Sequence, residues 1–169
     1  MSARDAKLKE LASAHGFDID AEMKAGGSYV PLLRHGSQIF ISGQIPRVGD
    51  KVVVTGKLGG EVSLSNGQRA ARICALRALA LLRRELGTLD DVRQVLKLTV
   101  YVHSAPDFTQ QTEVADGAST LLQQVLGAAG LHTRTSVGVV QLPKNAAVEV
   151  DLVATALPMQ PTTGPQLGG

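Results

Sequence analysis

Apolar and polar residues alternate along several short stretches of the chain, which is the pattern of half-buried β-strands. The clearest example is residues 134–155, RTSVGVVQLPKNAAVEVDLVAT. Two alternating runs flank Leu142–Asn145, where a proline and an asparagine favour a turn. We therefore expect two strands joined by a short turn. If these strands pair directly, Arg134 and Glu149 lie on the same face of the sheet, away from the core.

Other alternating stretches predict further strands. Tyr29–Arg34 and Gln38–Ser42 flank His35-Gly36, which is a hairpin signal, and Lys51–Thr55 predicts a third strand. Gln94–His103 predicts a fourth strand whose two faces separate cleanly. One face carries Leu96, Leu98, Val100 and Val102, and the other carries Val95, Lys97, Thr99, Tyr101 and His103.

Helical spacing predicts three helices. The first covers residues 3–15, and the last covers 109–126 with Val114, Ala118, Leu121, Leu122 and Val125 toward the core. The longest begins near Ser63 or Ser65 and ends at Gly87. Its apolar arc is wide enough to contact both a sheet and another helix, and Cys74 lies within it as a core residue rather than a reactive thiol. Its arginines, Arg69, Arg72, Arg77, Arg83 and Arg84, are expected to form a solvated face.

The predicted element order is α-β-β-β-α-β-α-β-β, a single α+β domain over residues 1–156 with a flexible tail at 157–169. Two helices can cover only one face of the sheet. The other face is expected to carry Lys97, Thr99, Tyr101, Arg134, Ser136, Glu149 and Asp151, mixed with Val95, Ala147 and Val153. Because nothing else in the chain can cover this face, we expect a homo-oligomer with sites in clefts between subunits.

Composition restricts the functional classes. The net charge is +2 and no basic run is interleaved with aromatic residues, so nucleic acid is not an expected partner. The N-terminus does not resemble a signal peptide and no apolar run can span a bilayer, so we expect a cytoplasmic protein without membrane contact. Four histidines and one cysteine lack metal-ligand spacing, and phosphate-binding glycine loops are absent from the sequence, which predicts neither a metal nor a nucleotide cofactor.

Several motifs together resemble the YjgF/RidA family, which is also known as endoribonuclease L-PSP-like. They are SGQIP at 42–46, AAR and CALRALA in the long helix, and RTSVGV followed by LPKNAAVEVDLVA from Arg134 onward. GKLGG, VADGAS and GLHTRTSVGV indicate a divergent subgroup. The resemblance implies a chorismate-mutase-like fold with a β-β-β-α-β-α-β-β sheet, assembled as a homotrimer. It also implies cofactor-independent hydrolysis of enamines and imines (2-imino acids) to 2-oxo acids and ammonia.

The resemblance also assigns roles to individual residues. Arg134 matches the arginine that holds the substrate carboxylate, a task that suits the fork of a guanidinium. Glu149 matches the glutamate that positions or activates the attacking water. Tyr29 and Gly43 match positions that line the same cleft. Ser136 stands where the family commonly has a cysteine, and it retains the ability to bind the carboxylate.

One family position has no clear match in this sequence. The helix asparagine of the family corresponds to Thr112, Ala115 or Asp116, and the sequence does not choose among them. The alternatives for the site are an ordinary ion pair between Arg134 and Glu149, worth less than ~1 kcal/mol if exposed, and a packing role for Tyr29. The alternative functions are a module that binds small carboxylates without turnover and, ranked last, a ribonuclease or translation inhibitor.

Overall fold

The computed structural model describes residues 1–23 and 25–158. Its helices are α1 (Ala3–Ala14), α2 (Leu64–Leu86) and α3 (Gln111–Leu126). Its strands are β1 (Leu32–His35), β2 (Gln38–Gln44), β3 (Arg47–Val48), β4 (Lys51–Val52), β5 (Val92–His103), β6 (Thr133–Val139) and β7 (Val148–Ala156). Short 3₁₀ turns occupy Leu89–Asp91, Gly127–Gly130 and Pro143–Asn145.

Within the described residues, five strands form a mixed sheet in the order β1-β2-β7-β5-β6. Neighbouring strands are antiparallel except β5 and β6, which are parallel and are connected through α3. Helix α2 packs on β7 and on α3, as its wide apolar arc predicts. The fold is therefore α+β, with α2 and α3 forming a layer on one face of the sheet.

The predicted hairpin between the last two strands is wrong. β5 lies between β6 and β7 in the sheet. β6 pairs with one edge of β5 in parallel, and β7 pairs with the other edge of β5 in antiparallel. The residues of the expected turn do bend the chain: Lys144 and Asn145 both have φ of 56°. They carry the chain across the end of β5 rather than back along β6, because the edge of β7 that would face β6 is already paired.

The N-terminal strands agree with the sequence only in part. β1 and β2 form the predicted hairpin around His35-Gly36, although Tyr29 lies outside β1. The third strand expected at Lys51–Thr55 is reduced to Lys51–Val52, which pairs with Arg47–Val48 in a separate two-stranded sheet. The expected contribution of Lys51–Thr55 to the main sheet is therefore wrong.

Strand β5 departs from perfect alternation near its start. The pairing with β7 shifts between Val95 and Lys97, so Val95 is buried and Leu96 is exposed, the reverse of the predicted faces. Beyond this bulge, Leu98, Val100 and Val102 are buried as predicted. A bulge inserts one extra residue and exchanges the two faces of the strand from that point.

The face opposite the helices carries part of the predicted set. Lys97, Thr99, Tyr101, Glu149, Asp151 and Val153 alternate with buried core residues of β5 and β7 and lie on this face. Val95 and Ala147 are buried instead. Arg134 and Ser136 pair with the core positions Leu98 and Val100, which places both on the helix side of the sheet and corrects the expectation for them.

Helix α2 begins after one of the two predicted serines and ends at the predicted glycine. Ser63 is the N-cap and accepts a hydrogen bond from the Asn66 backbone, so Ser63 rather than Ser65 starts the helix. Gly87 ends it with φ of 83°. Cys74 is fully buried, and burial raises the pKa of its thiol, in agreement with a core role. Arg77 is also buried, and the predicted solvated arginine face is wrong at this position.

Helix α1 is attached to the start of β5 through polar contacts. Asp5 accepts hydrogen bonds from the Leu89 backbone and the Thr88 hydroxyl, and Arg4 donates to the carbonyls of Leu89 and Val92. Most of the predicted tail, 159–169, lies outside the described residues. Across the described segments, the structure contains no helix with the length and apolar character required to cross a membrane.

Candidate functional site

Three of the predicted site residues line one cavity of about 240 Å³. These are Tyr29, Gly43 and Glu149, and the wall also includes Gln44, Arg47, Arg77 and Lys144. We call this space the Glu149 cavity. It lies where β7, the end of β2, helix α2 and the Pro143–Asn145 turn meet. Its size suits a small metabolite, since drug-sized ligands occupy roughly 300–1,000 Å³.

A bulge in β2 brings the backbone close to the Glu149 side chain. The pairing of β2 with β7 shifts between Ile41 and Gln44, and Gly43 lies inside that shift. A Cβ atom at Gly43 would stand 1.9 Å from Oε1 of Glu149. Glycine is thus the residue that leaves the carboxylate in place. Next to it, Ser42 donates a hydrogen bond of 2.8 Å to the Val30 carbonyl and fastens the segment that carries Tyr29.

The Glu149 carboxyl is half-buried and its pKa is raised above the ordinary value of a glutamate. Burial is the main cause, and repulsion from the Asp151 carboxylate is the second. Asp151 itself accepts a hydrogen bond of 3.1 Å from the Tyr101 hydroxyl. A carboxyl group whose pKa is shifted toward neutrality can accept and return a proton, which is the requirement for general acid–base catalysis.

The cavity also contains a residue that the sequence interpretation placed elsewhere. Arg77 projects from α2, is 8% exposed and lines the cavity. Its Nε donates to Oε1 of Gln44 and its Nη1 donates to the Arg47 carbonyl, each at 3.2 Å. The sequence does contain a signal for the burial of Arg77, because this residue interrupts the apolar run 73–82. A single charge inside such a run is expected to be buried with the run.

Arg134 lies in a different place, among residues of helix α3. Its Nη1 contacts Oδ1 of Asp116 at 2.8 Å and Oγ of Ser119 at 2.9 Å, and its Nη2 donates to the Thr112 carbonyl. Ser119 also contacts Nε2 of His132 at 2.9 Å. We call Arg134, Asp116, Ser119 and His132 the Arg134 cluster. The sequence analysis assigned no role to Ser119.

The orientation of His132 is set by the backbone. Its Nδ1 lies 2.6 Å from the Gly130 carbonyl, which can only accept a hydrogen bond, so Nδ1 carries the proton. In the neutral ring, Nε2 is then an acceptor, and the Ser119 hydroxyl donates to it. The oxygen of Ser119 in turn accepts from Arg134. This chain of contacts fixes the guanidinium on the surface of α3.

The contacts of Arg134 also narrow the open question about the family's helix asparagine. Of the three candidates, Asp116 reaches Arg134 with its side chain and Thr112 reaches it with its backbone carbonyl. Ala115 is fully buried. Asp116 is therefore the side chain that can act at this position.

The Arg134 cluster and the Glu149 cavity are separated within one chain. Arg134 pairs with Leu98 and Glu149 pairs with Tyr101, and these two positions of β5 face opposite sides of the sheet. β6 and β7 are also two strand spacings apart, about 9–10 Å. The prediction that both side chains lie on one face is therefore wrong. Ser136 lies on the face of Arg134, away from the cavity.

Comparison with known proteins gives the family. Residues 9–156 match the model of the YjgF/chorismate mutase-like, putative endoribonuclease family. The chain belongs to this family. It is 44% identical over 137 residues to Protein TCP17 of Trypanosoma cruzi, a match that spans 80% of this chain and 86% of that protein.

Solved structures share the architecture of this chain. The protein Atu1372 of Agrobacterium tumefaciens, of unknown function, is 38% identical, and the match covers 92% of this chain and 94% of that chain with a TM-score of 0.81. A putative endoribonuclease of Shewanella oneidensis is 30% identical, with 88% and 98% coverage and a TM-score of 0.80. Family membership was inferred from the motifs at 42–46 and 134–154, and the family-model match confirms it.

Proposed function

We propose that this YjgF-family chain hydrolyses 2-imino acids to 2-oxo acids and ammonia, in a cleft completed by a neighbouring subunit. The observation that carries the proposal is the half-buried Glu149 carboxyl, with its raised pKa, in a cavity of metabolite size beside Tyr29. In the ionised form Glu149 takes a proton from water while the water oxygen bonds to the carbon of the C=N group. The protonated Glu149 gives this proton to the nitrogen, which produces a carbinolamine. Glu149 then takes the proton of the carbinolamine hydroxyl and transfers it to nitrogen as the C=O bond forms and the C–N bond breaks, so the products are the 2-oxo acid and ammonia.

In this proposal, Arg134 binds the carboxylate of the substrate. A guanidinium can hold a carboxylate by two parallel charge-assisted hydrogen bonds. Ser136, two residues along the same face of β6, can add a further hydrogen bond. Since Arg134 and Glu149 of one chain lie on opposite faces of the sheet, the substrate must be held by Arg134 of one subunit and Glu149 of another.

A closed ring of three subunits meets this requirement. The sheet face opposite the helices exposes Leu33, Phe40 and Val137, which alternation and strand pairing place beside Val153 and Tyr101. Apolar side chains grouped on an uncovered sheet face favour contact with another protein surface. In a homotrimer, each subunit would supply its Arg134 cluster to the Glu149 cavity of the next.

The test measures imine hydrolysis directly. An amino-acid oxidase generates the imine, and semicarbazide traps whatever has not been hydrolysed. Wild-type protein should lower the amount of trapped imine, whereas Arg134→Ala and Glu149→Gln should each abolish the effect. Arg93→Ala is the matched control, because Arg93 is exposed on β5 outside the site. Unchanged trapping by wild-type protein across a panel of amino acids would reject the proposed activity.

Mixing the two inactive variants tests the shared site. If each site takes Arg134 from one subunit and Glu149 from the next, randomly mixed trimers should recover about a quarter of the wild-type activity. Each variant alone should remain inactive. A mixture that stays inactive after subunits have exchanged would contradict the placement of the site between subunits.

A second candidate function is binding of a small carboxylate without turnover. The observation that favours it is the contact between Arg134 and Asp116, because a guanidinium that is already paired holds a substrate less firmly. 2-Oxo acids would then raise the melting temperature of the protein, while the trapping assay shows no hydrolysis. Loss of the thermal shift in Arg134→Ala would support binding, and its persistence would reject Arg134 as the anchor in both candidates.

A further inference from the structure

Arg77 is a buried cation whose known partners are neutral. Only 8% of the residue is exposed, and its two hydrogen bonds run to the Gln44 side-chain oxygen and the Arg47 backbone carbonyl. In the described part of the chain, no carboxylate forms a salt bridge with it. Burial of a guanidinium without an opposite charge is unfavourable, and buried charges in proteins are normally paired. Those two bonds use Nε and Nη1 out of five N–H donors.

The cavity that Arg77 lines carries an excess of positive charge. Three basic residues, Arg47, Arg77 and Lys144, surround it, against the single carboxyl of Glu149. Arg47 also has a buried Nε atom without a hydrogen-bond partner in the described structure. A space with this balance of charge attracts an anionic ligand.

A second cavity beside Arg47 and Arg77 is lined by acidic residues. Its volume is about 200 Å³, and its wall includes Glu22 and Asp50. Both acidic residues are exposed to solvent, where water screens their charges. They therefore compensate the buried guanidinium of Arg77 only weakly, and Arg77 also lines the cavity that it shares with Glu149.

We propose that Arg77 binds a second carboxylate, so that the ligand of the Glu149 cavity is a dicarboxylic 2-imino or 2-oxo acid of four or five carbons. This inference rests on the proposed function for the role of Arg134, which holds the first carboxylate from the neighbouring subunit. Glu149 then lies between the two cations, beside the carbon that carries the imine. Arg77 determines substrate class and does not take part in the proton transfer.

The experiment compares ligands that differ only in the distal carboxylate. Affinities for 2-oxoglutarate and 2-oxopentanoate, and for oxaloacetate and 2-oxobutyrate, are measured by calorimetry on the wild-type protein. We expect the dicarboxylic member of at least one pair to bind about tenfold or more tightly, as one desolvated charge-assisted contact gives. Equal affinities in both pairs would overturn the proposal.

Variants then assign the preference to Arg77. Arg77→Met keeps the length and apolar stem, and it should reduce the ratio of affinities to about one, mainly by weakening the binding of the dicarboxylic member of each pair. Arg77→Lys should retain part of the preference, and Arg72→Met on the same helix should retain all of it. If Arg77→Met keeps the wild-type ratio, the proposal is wrong. If the variant fails to fold by circular dichroism, the wild-type pairs and Arg77→Lys still decide the question.

The experiments distinguish failure of the dicarboxylate preference from failure of the proposed imine hydrolysis. A dicarboxylate preference that depends on Arg77, without imine hydrolysis, supports this inference and rejects the proposed catalysis. Imine hydrolysis at equal kcat/KM for the imines of glutamate and norvaline, unaffected by Arg77→Met, supports the catalysis and rejects this inference.

Discussion

The contact between Gly43 and Glu149 predicts a variant in which activity and stability separate. Gly43→Ala places a methyl group 1.9 Å from Oε1 and 2.8 Å from Cδ of Glu149. Ordinary van der Waals contact begins near 3.4 Å. The carboxylate must therefore move by about 1.5 Å, and it lies at the free end of a flexible side chain, so it can rotate away without displacing backbone.

The two consequences differ in size. Rotation of Glu149 to a less favourable side-chain geometry costs on the order of 0.5–1.5 kcal/mol in the free energy of unfolding. Misplacement of a catalytic group by about 1 Å can lower the rate by roughly 10²-fold. We therefore expect Gly43→Ala to remain folded, to melt only a few degrees below wild type, and to lose nearly all activity.

Two measurements check this prediction. Imine hydrolysis is followed by semicarbazide trapping, and the free energy of unfolding is obtained from urea titration. Gly60→Ala is the control, because its Cβ would meet a backbone oxygen at an ordinary 3.4 Å. In a Glu149→Ala background the added methyl group meets no carboxylate, so the stability loss should vanish. Wild-type activity in Gly43→Ala, or an equal stability loss in both backgrounds, would refute the reasoning.

Three further predictions follow from contacts near the two groups. Asp151→Asn removes the charge that disfavours the ionised carboxylate, so the pKa of Glu149 falls and the acidic limb of the kcat/KM–pH profile moves to lower pH. Ser119→Ala removes the hydroxyl that contacts the partly buried His132 and Arg134, so it should lower the free energy of unfolding by about 1–3 kcal/mol and weaken carboxylate binding by Arg134, measured by urea titration and calorimetry. Gly117→Ala places a Cβ 2.3 Å from a backbone oxygen of α2 and should cost about 1–3 kcal/mol or more in the same titration.

Matched controls distinguish these effects from general damage. Asp107→Asn removes an exposed charge outside the cavity and should leave the pH profile unchanged. Thr120→Ala changes an exposed position of α3 beside Ser119 and should leave the free energy of unfolding within about 0.5 kcal/mol of wild type. An unshifted acidic limb in Asp151→Asn, or wild-type stability in Ser119→Ala or Gly117→Ala, would contradict the corresponding prediction.

Local sequence patterns predicted the helices and their ends better than they predicted which strands pair with each other. The long helix ends at Gly87, as predicted, and begins after Ser63, one of the two serines that the sequence left open. The pairing of β6 with β5 instead of β7 depends on where α3 returns the chain, which no local pattern encodes. A strand of alternating residues followed by a turn is typical of a hairpin, but the same pattern fits a strand at the edge of a parallel pair.

Some residues of the candidate site were placed correctly from the sequence, and others were not. Tyr29, Gly43 and Glu149, which the family motifs assign to one cleft, line the same cavity. Arg134 lies elsewhere because its face was deduced from the wrong strand partner. Arg77 was assigned to the solvent because it shares a helical stripe with other arginines, and periodicity cannot show that the β2–β3 connection covers one member of the stripe.

The ion pair between Arg134 and Asp116 has a consequence for how long any acid stays bound. Asp116 occupies the guanidinium at 2.8 Å, and its side chain is 55% exposed. An incoming acid must therefore displace the Asp116 carboxylate, which competes for the same guanidinium and stays close to it because it belongs to the same chain. Such an arrangement shortens residence time and eases product departure, at the expense of tight binding. For the proposed hydrolysis of small imino acids, fast exchange at Arg134 matters more than high affinity.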